Sequence, residues 1–170
     1  MQTEEIVFHI KDARTKDIRV YCFVCTGNTC RSPMAAALLS HYGAPHGIFA
    51  FSRGIAAMPG APISENACKA LAAEGIPSEG RNDYIRHRAA QFHKEDFAAC
   101  DGVFAIAPSH AEALIMAFPE YAKKIRVLGD ISDPYMGDEA EYAACLAKIK
   151  AATAEAFPYL FTNDATDQKS

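Results

Sequence analysis

The sequence predicts an α/β protein: a single-domain three-layer sandwich in which a four-stranded parallel sheet is flanked by helices, with an extra N-terminal arm. The 170 residues suit one hydrophobic core. Short apolar runs alternate with alanine- and leucine-rich stretches of helical length, the βα alternation that builds a parallel sheet. The run Ile18 to Cys25 becomes almost wholly apolar in its second half, as a strand covered on both faces requires.

Along the chain, residues 1–17 read as an extension, with Ile6 to Ile10 either an edge strand or part of a disordered arm. The main unit is expected over 18–160 and a polar tail over 161–170. After the first strand, Thr26 to Arg31 breaks the run with Gly27 and Asn28, both tolerant of left-handed backbone. Ser32-Pro33 has the form of a hydroxyl cap with proline at the first helical position, and Met34 to Tyr42 continues as a helix to Gly43. Ile48 to Ile55 reads as a second strand, and Ser64 to Glu74 as a helix ended by Gly75. Val103 to Ala107 is a short buried strand. Ser109 to Phe118 is a helix capped by Ser109, with Pro119 beyond it. Ile125 to Leu128 is a fourth strand, and Glu139 to about Tyr159 a closing helix interrupted near Pro158. Ligands of such sheets bind beyond the C-terminal strand ends, which is where the loop after Cys25 falls.

Composition narrows the function classes. A net charge of −4 gives no global attraction to nucleic acid or anionic lipid. No apolar run approaches the ~20 residues that span a bilayer. No secretory signal is visible, so a cytoplasmic protein with reduced thiols is expected. The cysteines at 22, 25, 30, 68, 100 and 145 therefore read as free thiols. His41, His46, His87, His93 and His110 show no metal-ligand spacing, and neither a metal nor an organic cofactor is implied.

Chemistry concentrates in Cys25-Thr26-Gly27-Asn28-Thr29-Cys30-Arg31-Ser32. A loop this tight turns successive N–H groups inward as an anion-binding nest. The following helix start adds positive potential, and Arg31 adds a planar two-pronged clamp. The same field favours thiolate at Cys25, a nucleophile aimed at phosphorus. Cys68, Cys100 and Cys145 lack such companions and read as structural. Cys22 and Cys25 are formally C-x-x-C, but residues three apart on a strand face opposite ways. There is no Walker sequence.

The run Cys25 to Met34 (CTGNTCRSPM) resembles the signature of the low-molecular-weight protein tyrosine phosphatase family, including its bacterial protein arginine phosphatase branch. Asp133-Pro134-Tyr135 resembles the family's downstream acid loop, and the likeness runs from Ile18 to about Tyr159. It implies the strand order 2-1-3-4. It also implies a phosphocysteine on Cys25, oxyanion binding by Arg31, and leaving-group protonation by Asp133. Thr26, Gly27, Asn28, Thr29, Cys30, Ser32 and Tyr135 would shape the substrate site. Asn28 would hold the loop, Ser32 would steady the thiolate, and Cys30 would protect Cys25 through a reversible disulfide. The partner would be a phosphorylated protein, with inorganic phosphate or sulfate able to occupy the loop.

Thr29 tilts the substrate toward phosphoarginine, since tyrosine-specific members usually carry a branched apolar residue there. Phosphotyrosine is the alternative. Arsenate reduction lacks a resolving cysteine pair after residue 108. A non-catalytic phospho-reader would have no need of Asp133. Arg53, between Ser52 and Gly54, and Pro108 depart from the family pattern, and Arg53 is expected to alter the rim.

Overall fold

In the computed structural model, which describes residues 18–161, strand β1 (Arg19–Cys25) runs through the middle of the sheet. The arm with its expected strand at Ile6 to Ile10, and the tail from Thr162, lie outside those residues. Strands β2 (Ile48–Gly54) and β3 (Gly102–Ala105) flank β1, and β4 (Ile125–Val127) pairs beyond β3. All three pairings are parallel, and the order is β2-β1-β3-β4.

The alternation of β1 feeds two cores. Phe23 and Cys25 face one cluster, with Met34, Leu38, Leu71, Phe104 and Ile149; Cys22 and Val24 face the other, with Phe97, Val103, Leu114 and Ile125. The two cysteines of the C-x-x-C thus lie on opposite faces, as expected. Helices α1 (Arg31–Gly43), α2 (Glu65–Ala73) and α4 (Glu139–Ala156) cover the first face, and α3 (Pro108–Ala117) the second. Phe23, Met34, Leu38 and Leu39 are wholly buried. Each contributes roughly 1.5–3 kcal/mol of transfer free energy, which anchors β1 to α1 on both sides of the loop between them.

The helix starts depart from the sequence reading at two places. Ser32 does not cap α1; Cys30 holds the cap position with no side-chain cap bond, and Arg31 and Ser32 already lie in the first turn. Pro33 is tolerated there because first-turn N–H groups have no helical partner to lose. Ser109 likewise is not a cap: α3 begins at Pro108 with Ala107 before it, and the Ala107 N–H donates to His110 Nδ1 at 3.2 Å. Ser64 does cap α2, accepting from the Ala67 N–H, and Gly75 ends that segment at a φ of 87°. Asp138 caps α4, which stops before Pro158. No helix among the described residues is long and apolar enough to cross a membrane.

Candidate active site

The loop between β1 and α1 lies at the C-terminal end of the central strand, where Cys25 pairs in register with Gly54. Asn28 holds its shape from inside. The residue is fully buried with a φ of 59°, a left-handed conformation that asparagine tolerates better than most residues. Its Nδ2 donates to Ser32 Oγ and to Ser52 Oγ, each at 2.9 Å, and its Oδ1 accepts the Ala90 N–H at 2.9 Å. Its carbonyl lies 2.8 Å from His87 Nε2. Both amide protons and both oxygens of Asn28 are therefore used. Gly54 permits the close approach: a Cβ there would stand 2.6 Å from the Thr26 carbonyl oxygen and 3.1 Å from the Asn28 Cβ.

The turn bonds among the described residues include none donated by the main-chain N–H groups of Gly27 to Ser32. Such groups, next to a helix start, are free to donate to a bound anion. Cys25 Sγ lies 2.9 Å from Ser32 Oγ, which is also 3.3 Å from the Arg53 carbonyl. A hydroxyl has one proton. When Cys25 is a thiol, it can donate to Ser32 while Ser32 donates to Arg53. When Cys25 is a thiolate, the Ser32 proton turns to sulfur and stabilises the charge.

Arg31 is buried and braced from three directions. Nη1 donates to the Ile131 carbonyl at 3.0 Å, Nη2 to Thr26 Oγ1 at 3.5 Å, and Nη2 pairs with Asp133 Oδ2 at 3.5 Å. The guanidinium is thus fixed at one side of the nest with Asp133 at its mouth. Asp133 is half exposed, and its Oδ1 accepts the Tyr135 N–H at 3.0 Å. A cleft of about 190 Å³ joins Cys25 through Arg31 with Asp133 and Tyr135. Thr29 forms part of its wall. All the site residues expected from the sequence line this cleft except Ser32, which lies beneath it against the sulfur.

A larger concavity of about 230 Å³ opens behind the loop, between α1, β2 and Arg81 to His87. It holds no cysteine and no residue of the Cys25–Arg31 loop. Arg53 lines the rear concavity and not the cleft; its Nε pairs with Asp96 Oδ1 at 3.4 Å and its guanidinium lies over Phe51. The expected change to the rim is therefore not there.

All six cysteines are free. Cys30 Sγ lies 3.2 Å from the Tyr142 hydroxyl, whose pKa is pushed up to about 12 by burial and by that contact. Burial pushes the thiols of Cys68 and Cys100 up, and that of Cys145 to about 11, so none is primed as a nucleophile. His87 and His110 are held below the usual imidazole range, mainly by burial. Sequence reasoning left both histidines, Ser52 and Tyr142 outside the site. Each reaches the loop from tens of residues away, so no local pattern marks it.

The family model for low molecular weight phosphotyrosine protein phosphatase matches residues 20–165. The chain belongs to this family. A protein-arginine-phosphatase of Geobacillus stearothermophilus is 38% identical over 136 residues, 75% of this chain and 86% of the relative. Low molecular weight protein-tyrosine phosphatase A of Mycobacterium tuberculosis is 35% identical over 146 residues, 76% of this chain and 84% of the relative. Among solved structures, the low molecular weight protein tyrosine phosphatase from T. tengcongensis superposes with a TM-score of 0.76 at 33% identity, over 83% of this chain and 99% of that one. Family membership accounts for the sheet order and for the placement of the Cys25 loop between β1 and α1.

Proposed function

We propose that this protein is a cytoplasmic phosphatase that hydrolyses phosphorylated protein side chains through a phosphocysteine on Cys25, with phosphoarginine favoured over phosphotyrosine. The observation that carries the reading is the meeting of Cys25, Arg31 and Asp133 in one cleft walled by a loop whose main-chain N–H groups from Gly27 to Ser32 donate none of the turn bonds among the described residues.

In the first step the Cys25 thiolate attacks phosphorus. The S–P bond forms as the bond from phosphorus to the leaving nitrogen or oxygen breaks. Asp133 gives its proton to that leaving atom. The loop N–H groups and Arg31 hold the equatorial oxygens, whose spread charge they match. In the second step Asp133, now a carboxylate, takes a proton from water as the water attacks phosphocysteine. Inorganic phosphate leaves and the thiolate returns. The same cradle accepts free phosphate or sulfate as a product-like anion.

Two features favour phosphoarginine. Thr29 presents a hydroxyl-bearing side chain in the cleft wall, and the Geobacillus relative is a protein-arginine-phosphatase. The phosphotyrosine reading is supported by the mycobacterial relative and by Tyr135 at the mouth, which can stack on a phenol. Phosphate release from a phosphoarginine protein and from a phosphotyrosine peptide, with Cys25→Ser as control, separates them. Turnover of phosphoarginine alone, moved toward phosphotyrosine by Thr29→Ile, is expected. Preference for phosphotyrosine would overturn the assignment to Thr29 and keep the mechanism. Activity surviving in Cys25→Ser would overturn the mechanism itself.

A further inference from the structure

His110 sits on the opposite side of the sheet core from α1, is 2% exposed, and yet reaches the loop. Its Nδ1 lies 3.2 Å from the main-chain nitrogen of Ala107. An amide N–H can only donate, so Nδ1 is an acceptor and carries no proton. The neutral ring must then carry its proton on Nε2, and Nε2 lies 2.9 Å from Thr26 Oγ1. Burial, and the Arg31 charge nearby, keep the ring neutral; Asp133 pulls the other way and is outweighed. The Thr26 oxygen therefore accepts from His110, and it also accepts the longer bond from Arg31 Nη2 at 3.5 Å. With both lone pairs engaged, the hydroxyl's proton has one remaining use, which is to donate. Thr26 lines the cleft with Cys25, Arg31 and Asp133, and its exposed side faces that space.

We infer that His110 is a positioning residue that acts through Thr26, holding the Thr26 hydroxyl so that its proton points into the cleft as an added donor to the bound phosphoryl oxygens. The inference rests on the phosphatase reading for its use, and on geometry alone for its existence. An ordinary threonine hydroxyl turns freely and accepts as readily as it donates. One pinned by two donors is a fixed donor, and fixed donors facing developing negative charge are what a phosphoryl-transfer site needs. The relay runs from the Ala107 amide to the ring, from the ring to Thr26, and from Thr26 to the anion.

Two isosteres separate this role from a purely structural one. The amide oxygen of His110→Asn takes the place of Nδ1 and keeps the Ala107 bond, but nothing reaches Thr26. The amide nitrogen of His110→Gln takes the place of Nε2 and keeps the Thr26 bond. Binding of inorganic phosphate is measured by titration calorimetry in the full chain, beside turnover and thermal unfolding. His110→Asn and Thr26→Val should each weaken phosphate roughly tenfold, the usual effect of one bond to a charged group. The double variant should lose no more than either alone, because both changes cut one relay. His110→Gln and Thr26→Ser should stay within about threefold of the parent.

Parent-like affinity in His110→Asn, loss in His110→Gln, or losses that multiply in the double variant would each overturn the inference, as would failure of the parent to bind phosphate. Should the His110 variants not fold, the Thr26 pair decides: Thr26→Val binding like Thr26→Ser overturns it. The expected binding pattern without turnover of any phosphoprotein would remove the phosphatase reading and leave the relay. Turnover by the parent with multiplying losses would do the reverse.

Discussion

The two loops that meet at the cleft are built on opposite principles. The Cys25–Ser32 loop is nailed down from within: Asn28 is 0% exposed, and its bonds reach β2, α1 and the segment after His87. The Asp133 loop is held from outside. Asp133 is 48% exposed at its side chain and Tyr135 68%. Its ties include the Ile131 carbonyl on Arg31, the Arg31–Asp133 ion pair, the Tyr135 N–H on Asp133, and Asn66 Nδ2 on the Gly137 carbonyl at 3.3 Å. On the proposed mechanism the buried loop recognises one invariant object, a tetrahedral oxyanion, and gains from rigidity. On the same proposal the exposed loop meets protein surfaces of varied shape and exchanges a proton with water, so rigidity would cost it access.

Substitutions test that division, beginning with the most damaging. Arg31→Lys removes the two-pronged geometry that Ile131, Thr26 and Asp133 brace. Activity should fall by about 10³-fold with folding kept, read as kcat/KM beside a melting curve. A loss under tenfold would mean that charge alone suffices.

Asn28→Ala should destabilise the whole fold by about 3 kcal/mol, since it orphans its partners and places alanine at positive φ. Asn28→Gly relieves only the backbone, by about 1 kcal/mol. Equal urea midpoints for the parent and Asn28→Ala would contradict the picture of a loop held from inside. Asp133→Asn belongs to the other loop. It should cost about 10²-fold in turnover with the melting temperature unmoved, and the loss should shrink for esters with acidic leaving groups. Uniform loss across leaving groups would remove Asp133 as the acid.

The pH response is smaller and belongs to the buried side. His87 and His110 have pKa values depressed in the fold, so the unfolded chain takes up protons first as pH falls. Their contribution is complete above the unfolded value, about 6.5, and is lost as pH drops below it toward the folded values. Melting should therefore be lower at pH 5.5 than at 7.5, and His87→Gln should flatten part of that slope. An unchanged slope in His87→Gln would mean that His87 takes no part. Weakest of all, Asn66→Ala removes one exposed-side tie and should change kcat/KM by about threefold or less with stability intact. A stability loss comparable to that of Asn28→Ala would erase the distinction between the two loops.

What could be read in the sequence was what chain neighbours decide. Cys25, the turn at Gly27-Asn28, Arg31 and the helix behind them are consecutive, so their spacing announces a nest. The apolar second half of β1 announces a strand buried on both faces. The cap readings of Ser32 and Ser109 failed because a serine near a proline at a helix start looks alike whether its hydroxyl caps the helix or serves something else; Ser32 instead lies 2.9 Å from the Cys25 sulfur, the partner its other reading had named. His87, Ser52 and His110 meet the loop across separations of 59, 24 and 84 residues. That information lies in the packing of the sheet and not in any window of sequence. Arg53 was expected at the rim, but Asp96, on a separate turn, draws it aside.

The central position of β1 also sets a schedule. A ribosome delivers the Cys25–Arg31 segment ahead of both strands that flank β1, one at 48–54 and the other at 102–105. Several groups around the loop arrive later still: His110 on Thr26, the Ile131 carbonyl on Arg31, Asp133, and Tyr142 on Cys30. Long-range pairings of this kind form late and together. A nascent chain therefore carries Cys25 in an unshaped segment until the residues through Tyr142 have followed it, and the loop takes its form only when those distant groups are in place.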